Sequence, residues 1–188
     1  MVSFYLACLY IFIKHNSCLE LCFDPSACAP NLFISDNNRH LRKNVSIAAY
    51  HSCRALGAGW THGVHYWSMR IIDRESLGYI TIGIVSKAFD VSLSQYVGQT
   101  SSSYGICLAD GKKYFNNAAT EFISTANLPK NDDVIGILLD LDAQTLTYFK
   151  NGKLLGTAFG QIPLSTKYYP AVSFYQLGAW ISLIKTTK

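Results

Sequence analysis

Two aspartates, Asp140 and Asp142, lie in the otherwise apolar stretch "LDLDAQTLTYFKNGKLLGTAF". An acidic pair of this kind is either a metal or catalytic site, or a device that reverses the chain. A calcium loop needs further oxygen ligands at fixed spacing, a glycine at the bend and a closing glutamate, and none of these follows. Downstream, Asn151-Gly152 separates two strand-like runs. Both central residues of a type I′ turn need positive φ, which Asn and Gly tolerate best, so this dipeptide predicts a hairpin. Asp142 is placed to accept backbone N–H groups two or three residues on and close the preceding turn. The stretch therefore reads as strand, turn, strand, Asn-Gly turn, strand, with the aspartates as turn residues.

Other chemistry-bearing patterns are weaker. "GAGWTHG" is glycine-rich but precedes a strand-like run, so it has no helix N-terminus with which to cradle phosphate. The chain contains no G-x-S-x-G and no H-E-x-x-H. His62 and His65 lack helical ligand spacing and read as turn or sheet histidines. Asp132-Asp133 reads as a solvated strand start. Cys18, Cys22 and Cys28 do not repeat the paired C-x-x-C spacing of a zinc site. No cofactor or metal is expected. Asn44-Val45-Ser46 is a glycosylation sequon, meaningful only in a secreted chain.

The elements that must carry any site are short. The chain has 188 residues, 49% hydrophobic and 15% charged, with a net charge of +4. That is enough for one domain with a sizeable core. Lys and Arg are scattered, so no nucleic-acid footprint is expected. The runs "NLFIS", "GVHYWSMRII", "YITIGIV", "YGICLADGKKYF", "DDVIGILLDL", "YYPAVSFY" and "AWISLI" are rich in Ile, Val, Tyr and Phe and are punctuated by Gly, Asn, Asp or Pro. Between them, "SKAFDVSLSQYVGQTSSS" is a polar loop. No long helical period follows residue 50. The expected fold is all-β, a sandwich or barrel. Trp60, Trp67 and Trp180 are assigned to packing, with Trp67 and Trp180 pointing inward. Cys53 and Cys107 sit in strand-like surroundings and read as buried, reduced thiols, which favours a reducing, cytoplasmic setting. Residues 1–22 hold an apolar run, Phe4 to Ile13, too short to span a bilayer. A working signal peptide there is the alternative and would make the chain secreted.

In order and spacing, these motifs resemble the SPRY family. "GWTHGVHYWSMRI" resembles its opening, "YITIGIV" the next strand, and "SYGICLADGKKYFN" the aromatic-Gly segment leading to a glycine-turned hairpin. "DDVIGILLDLDAQTLTYFKNGKLLGTAF" is similar to the consensus along its whole length, and "YYPAVSFY" and "AWISLI" resemble the closing strands. Upstream, "FDPSACAPNLFISDNNRHLR" resembles the PRY extension. Ser68, Tyr104 and Phe115 depart from the residues common at their positions. The resemblance implies a PRY-SPRY domain over 23–188. It also implies a bent sandwich of two antiparallel sheets, of concanavalin-like jelly-roll architecture, and a non-enzymatic module that reads a peptide or protein surface through loops at one end. Many members are substrate receptors beside ubiquitin-ligase parts.

Three loops carry candidate contact residues: Ser86, Lys87 and Phe89 in "SKAFD"; Tyr96, Val97 and Gln99 in "SQYVGQTSSSY"; and Tyr175 and Gln176 in "SFYQLG". Phe174 lies beside the last pair. Ser86, Tyr96, Val97, Tyr175 and Gln176 match the pocket positions of SPRY adaptors that bind Asn-rich peptides. Those adaptors also use an Arg-containing early loop and a Trp in the last one; here the early segment is the short "HSCRALGAG" and Gln176 lies near the Trp position, which puts that peptide class in doubt. The alternative functions are a secreted SPRY effector and a carbohydrate-binding or hydrolytic sandwich.

Overall fold

A computed structural model of the chain describes residues 21–184 apart from positions 58 and 77. The apolar run Phe4 to Ile13, and with it Cys8 and Cys18, lies outside the described residues. Within the described residues the apolar runs become strands, with "YGICLADGKKYF" supplying two. The strands are β1 (Phe23–Cys28), β2 (Leu32–Ser35), β3 (His40–Lys43), β4 (His51–Ala55), β5 (Val64–Asp73), β6 (Ile80–Ser86) and β7 (Ser103–Cys107). They continue with β8 (Lys112–Phe115), β9 (Ala118–Glu121), β10 (Val134–Asp140), β11 (Thr145–Lys150), β12 (Lys153–Phe159), β13 (Tyr168–Phe174) and β14 (Trp180–Leu183). Among the described residues there is no α-helix, only a 3-10 turn at Thr125–Asn127.

The strands form two antiparallel seven-stranded sheets. Sheet I has the order β1-β4-β13-β6-β7-β8-β9, and sheet II has β12-β11-β10-β5-β14-β3-β2. Alternation along each strand sends one set of side chains between the sheets. Sheet I contributes Ile80, Ile82, Ile84, Val172 and Phe174, and sheet II contributes Trp67, Met69, Ile71, Ile135, Ile137, Leu139, Leu146 and Tyr148. Burying each such side chain is worth roughly 1.5–3 kcal/mol. The Tyr148 hydroxyl crosses this core and donates to the Ile82 carbonyl at 3.2 Å.

The aspartate pair shapes turns, with its two members doing different work. Asp140, rather than Asp142, closes the β10–β11 turn, its Oδ1 accepting from the Ala143 N–H at 2.8 Å. Asp142 reaches across to the loop before β5 and accepts from the Gly63 N–H at 2.9 Å. The hairpin at Asn151-Gly152 forms with φ of 50° and 76°, pairing Lys150 with Lys153. Asp133 is more than a solvated strand start: its carboxylate accepts from the Asn151 side chain at 2.6 Å and from the Lys130 N–H at 2.8 Å.

Trp67 points inward, as expected, but Trp180 does not. Ile181 and Leu183 fill the core from β14, and Trp180 lies on the outer face of sheet II against His40 and Arg42. β14 alternates simply, with Trp180 and Ser182 outward and Ile181 and Leu183 inward, so the expectation for Trp180 misread the parity of the strand.

Candidate protein-binding surface

The outer face of sheet I is where the candidate residues converge. Its two central strands are buried on both sides: all seven residues of β6 and all seven of β13 are covered. Most outward positions near the centre are small, namely Thr81 and Gly83 on β6, Ala171 and Ser173 on β13, Ser52 on β4 and Gly105 on β7, with Val85 and Tyr169 the larger ones. That leaves room for the segment between β6 and β7 to lie across the sheet. Phe89 plugs into Val85, Val97, Tyr169 and Ala171. The Val97 N–H donates to Ser173 Oγ at 3.0 Å, and Ser52 Oγ donates to the Gln95 carbonyl at 2.7 Å. The glycine at 105 is required by this crossing, because a Cβ there would sit 2.4 Å from the Val97 carbonyl oxygen.

Past the edge of this covered region, five tyrosines form a row. Ring centroids are 6.3 Å apart for Tyr79 and Tyr175, 5.0 Å for Tyr175 and Tyr50, 5.0 Å for Tyr50 and Tyr96, and 5.4 Å for Tyr96 and Tyr114. The row is assembled from five separate places in the sequence. Two hydroxyls are committed: Tyr96 donates to Asn117 Oδ1 and Tyr114 to Asp110 Oδ2, each at 2.6 Å. Burial pushes the phenols of Tyr50, Tyr96 and Tyr114 up from their ordinary range, so all three stay neutral hydrogen-bond donors at physiological pH. Exposed Ile47, Leu93 and Leu177 belong to the three loops that carry Tyr50, Tyr96 and Tyr175. Aromatic anchors of this kind are what protein interfaces use as hot spots.

A buried lysine holds the loops beneath this row. Lys43 ends β3 with its side chain fully covered. Its ammonium donates to the carbonyls of Ile47, Ala49 and Tyr175, and lies 5.7 Å from the Tyr175 ring centroid. No carboxylate accompanies it among the described ion pairs. Burial lowers its pKa, and the three carbonyl dipoles are what keep the charge tolerable.

The candidate residues divide sharply by position. Tyr96, Tyr175 and Gln176 come together at the row, with Gln176 Oε1 accepting from the Tyr79 N–H at 3.0 Å. Gln99 closes its own loop by accepting from the Tyr96 N–H at 3.0 Å. Lys87 is exposed. Ser86, Phe89 and Val97, proposed from sequence as contacts, are 5%, 4% and 0% exposed and support the surface from below. Sequence reasoning missed Tyr50, Tyr79, Tyr114 and Lys43. The parity of the strands held the signal: Tyr79 continues the outward series Thr81 and Gly83, Tyr175 continues Ser173, and Tyr50 precedes Ser52 by two.

Among the described residues, no group of three or more His, Cys, Asp or Glu side chains could hold a metal ion. His65 stacks on Trp60 at 4.2 Å and bonds the His62 carbonyl at 2.8 Å, a packing role. No described helix is long and apolar enough to cross a membrane.

The SPRY domain family model matches residues 64–184. Among curated proteins, F-box/SPRY domain-containing protein 1 of Drosophila willistoni is 30% identical over 169 residues, covering 86% of this chain and 65% of the relative. The protein of the same name from Drosophila grimshawi is 28% identical over 169 residues, covering 86% of this chain and 66% of its own length. The chain thus spans just under two thirds of these relatives. Among solved structures, the SPRY domain of human HERC1 superposes with a TM-score of 0.70 at 21% identity, covering 88% of this chain and 99% of that one. The TRIM65 PSpry domain gives 0.68 at 18% identity, covering 89% and 93%.

Proposed function

The chain belongs to the SPRY domain family, and from that membership we propose that it binds a protein partner along the tyrosine row, as the substrate-reading part of a ubiquitin-ligation assembly. A role as a protein-interaction module follows from the family itself. The observation that carries the choice of surface is the convergence of Tyr50, Tyr79, Tyr96, Tyr114 and Tyr175 from five sequence positions onto one half-exposed face. A rigid sheet supplies the frame and loops supply the contacts. The row is an elongated aromatic surface, which fits an extended peptide segment better than a compact side chain. The ubiquitin-ligation reading is supported by relatives whose names join an F-box to the SPRY domain. We take residues 23–188 as one PRY-SPRY unit, because β1 to β4 complete the same two sheets as the later strands. A cytoplasmic setting fits the free thiols of Cys22, Cys28, Cys53 and Cys107.

The test is partner capture with the full chain, comparing wild type with Tyr50→Ala, Tyr96→Ala and Tyr175→Ala after matching their thermal stabilities. Loss of the same captured protein in all three folded variants is the expected result. Retention of every partner by all three would move the binding site off this face.

A further inference from the structure

Away from the tyrosine row, the β1–β4 edge of sheet I brings two thiols together. We propose that Cys28 and Cys53 are a reversible modification site that closes to a cross-strand disulfide on exchange with a low-molecular-weight disulfide.

The geometry rests on register. Cys28 faces Cys53 directly across the antiparallel pair β1–β4. The neighbouring Ala29 N–H donates to the Ser52 carbonyl at 2.9 Å. Ala29 and Ser52 are therefore a hydrogen-bonded pair, and the alternation of an antiparallel ladder makes Cys28 and Cys53 a non-hydrogen-bonded one. In such pairs the Cα atoms stand about 4.5 Å apart, inside the roughly 4.4–6.8 Å span of disulfides. Opposed residues share a face, and here that face is the inner one. Cys53 is fully buried in the core, and Cys28 is partly buried against it. Burial first, and then the neighbouring Cys28 thiol, raise the Cys53 pKa. The Cys53 sulfur has only loose further contacts, 3.9 Å to the Asp24 carbonyl and 3.6 Å to the Arg54 carbonyl.

The two sulfurs differ in access, and that sets the order of steps. Burial pushes the Cys53 thiol far up, so it does not react first. Partly exposed Cys28, as thiolate, attacks one sulfur of the incoming disulfide. That S–S bond breaks and the first small thiol leaves, taking a proton. The Cys53 sulfur then attacks the Cys28 sulfur of the mixed disulfide. The second small thiol leaves with the Cys53 proton. Two protein thiols are oxidised by two electrons, and one small disulfide is reduced to two thiols. The second step is the slow one, because it needs the Cys53 thiolate, and it accelerates with rising pH. β1 favours access: it is an edge strand, it contains Pro25, and its register shifts between Phe23 and Cys28. The closed bond would pin this edge to β4, the strand that follows Tyr50.

Oxidised glutathione is the probe, incubated with the full chain at neutral and mildly alkaline pH. The expected product is a Cys28–Cys53 linked peptide in a non-reducing digest, formed faster at the higher pH and reversed by reductant. The oxidised chain should melt at a higher temperature than the reduced chain. Cys28→Ser should neither form the link nor gain in melting temperature. Because Cys28 is only partly buried, that variant folds even if Cys53→Ala does not. Thiols that remain fully alkylatable at the alkaline pH, a Cys28 adduct that never resolves, or linkage of Cys53 to any other cysteine would each overturn the assignment.

Discussion

The ammonium of Lys43 donates to the backbone carbonyl of Tyr175, a residue from the far end of the chain, and so ties the end of β3 to the loop after β13. The same ammonium holds Ile47 and Ala49 in the segment that leads into Tyr50. One buried charge therefore sets the relative height of two members of the tyrosine row. Replacing Lys43 with Met keeps the volume but leaves three carbonyls without a donor. Each unpaired group costs on the order of 1–3 kcal/mol, partly offset by no longer burying a charge. We expect Lys43→Met to lower stability by about 2 kcal/mol in urea unfolding and to weaken partner binding without touching the contact residues. Unchanged stability would mean that solvent replaces the ammonium at no cost.

Phe89 and Lys87 separate support from contact within one loop. Phe89 is a plug between the β6–β7 segment and the outer face of sheet I. Phe89→Ala should cost about 3–5 kcal/mol as a cavity-forming core substitution. Lys87→Ala, at an exposed position, should change stability by less than about 0.5 kcal/mol. Chemical denaturation of both variants checks this, and similar values for the two would remove Phe89 from the interior.

Gly105 is constrained by its neighbour and Gly160 is not. A Cβ at 105 meets the Val97 carbonyl oxygen at 2.4 Å and Val97 Cγ1 at 3.0 Å, whereas nothing lies within 4 Å at 160. Gly105→Ala must lift the crossing segment off the sheet, at about 1–3 kcal/mol for an overpacked site. Gly160→Ala should be neutral or slightly stabilising. Thermal melts of the pair give the comparison, and the 105 variant should also lose partner binding because Tyr96 moves with Val97.

Much of this fold was legible because apolar runs and turn residues alternate plainly. The Asn151-Gly152 hairpin, the strands "YITIGIV" and "YYPAVSFY", and the turn nature of the aspartates all follow from local chemistry. The polar strands β1, β3, β4 and β9 were not legible. Their sequences, "FDPSAC", "HLRK", "HSCRA" and "AATE", hold few large apolar residues, and pairing with neighbours makes them strands. Trp180 was misplaced because its size was weighed over its parity, which it shares with Ser182 against the inward Ile181 and Leu183. Of the contact residues expected from the loops, Tyr96, Tyr175 and Gln176 lie at the tyrosine row, and Ser86, Phe89 and Val97 are buried. Loops suggest contacts, but which loop residues face outward depends on what the loop lies against, and Phe89 and Val97 lie against the sheet. Lys43 reads as an ordinary surface lysine until the loops fold over it.

Stability should form a plateau across neutral pH and fall at both ends, for different groups. On the acid side, burial works to raise the Asp133 pKa, but the Asn151 side chain, the Lys130 N–H and Lys150 outweigh it and leave the carboxyl below its usual range. A depressed carboxylate contributes stability that is complete above its unfolded value of about 3.9 and is lost as pH falls through the folded one. Asp133→Asn should therefore lower stability at neutral pH and flatten the acid limb. On the alkaline side, burial and then Tyr104 push Tyr168 up to about 12. Burial likewise raises the phenols of Tyr50, Tyr114 and Tyr148. Raised phenols contribute stability that is complete below the unfolded value of about 10 and is lost as pH climbs toward the folded values. Lys43 works in the opposite sense there, since its lowered pKa is relieved as the unfolded lysine also deprotonates. The raised phenols, Tyr66, Tyr96 and Tyr104 among them, outnumber the one lowered ammonium and leave a net fall. Urea midpoints followed across pH, with Tyr168→Phe as the alkaline control, test the sign directly: the wild type should lose stability above about pH 10, and the variant should lose less. A midpoint that rises through that range would place the tyrosine row and the core phenols in contact with water.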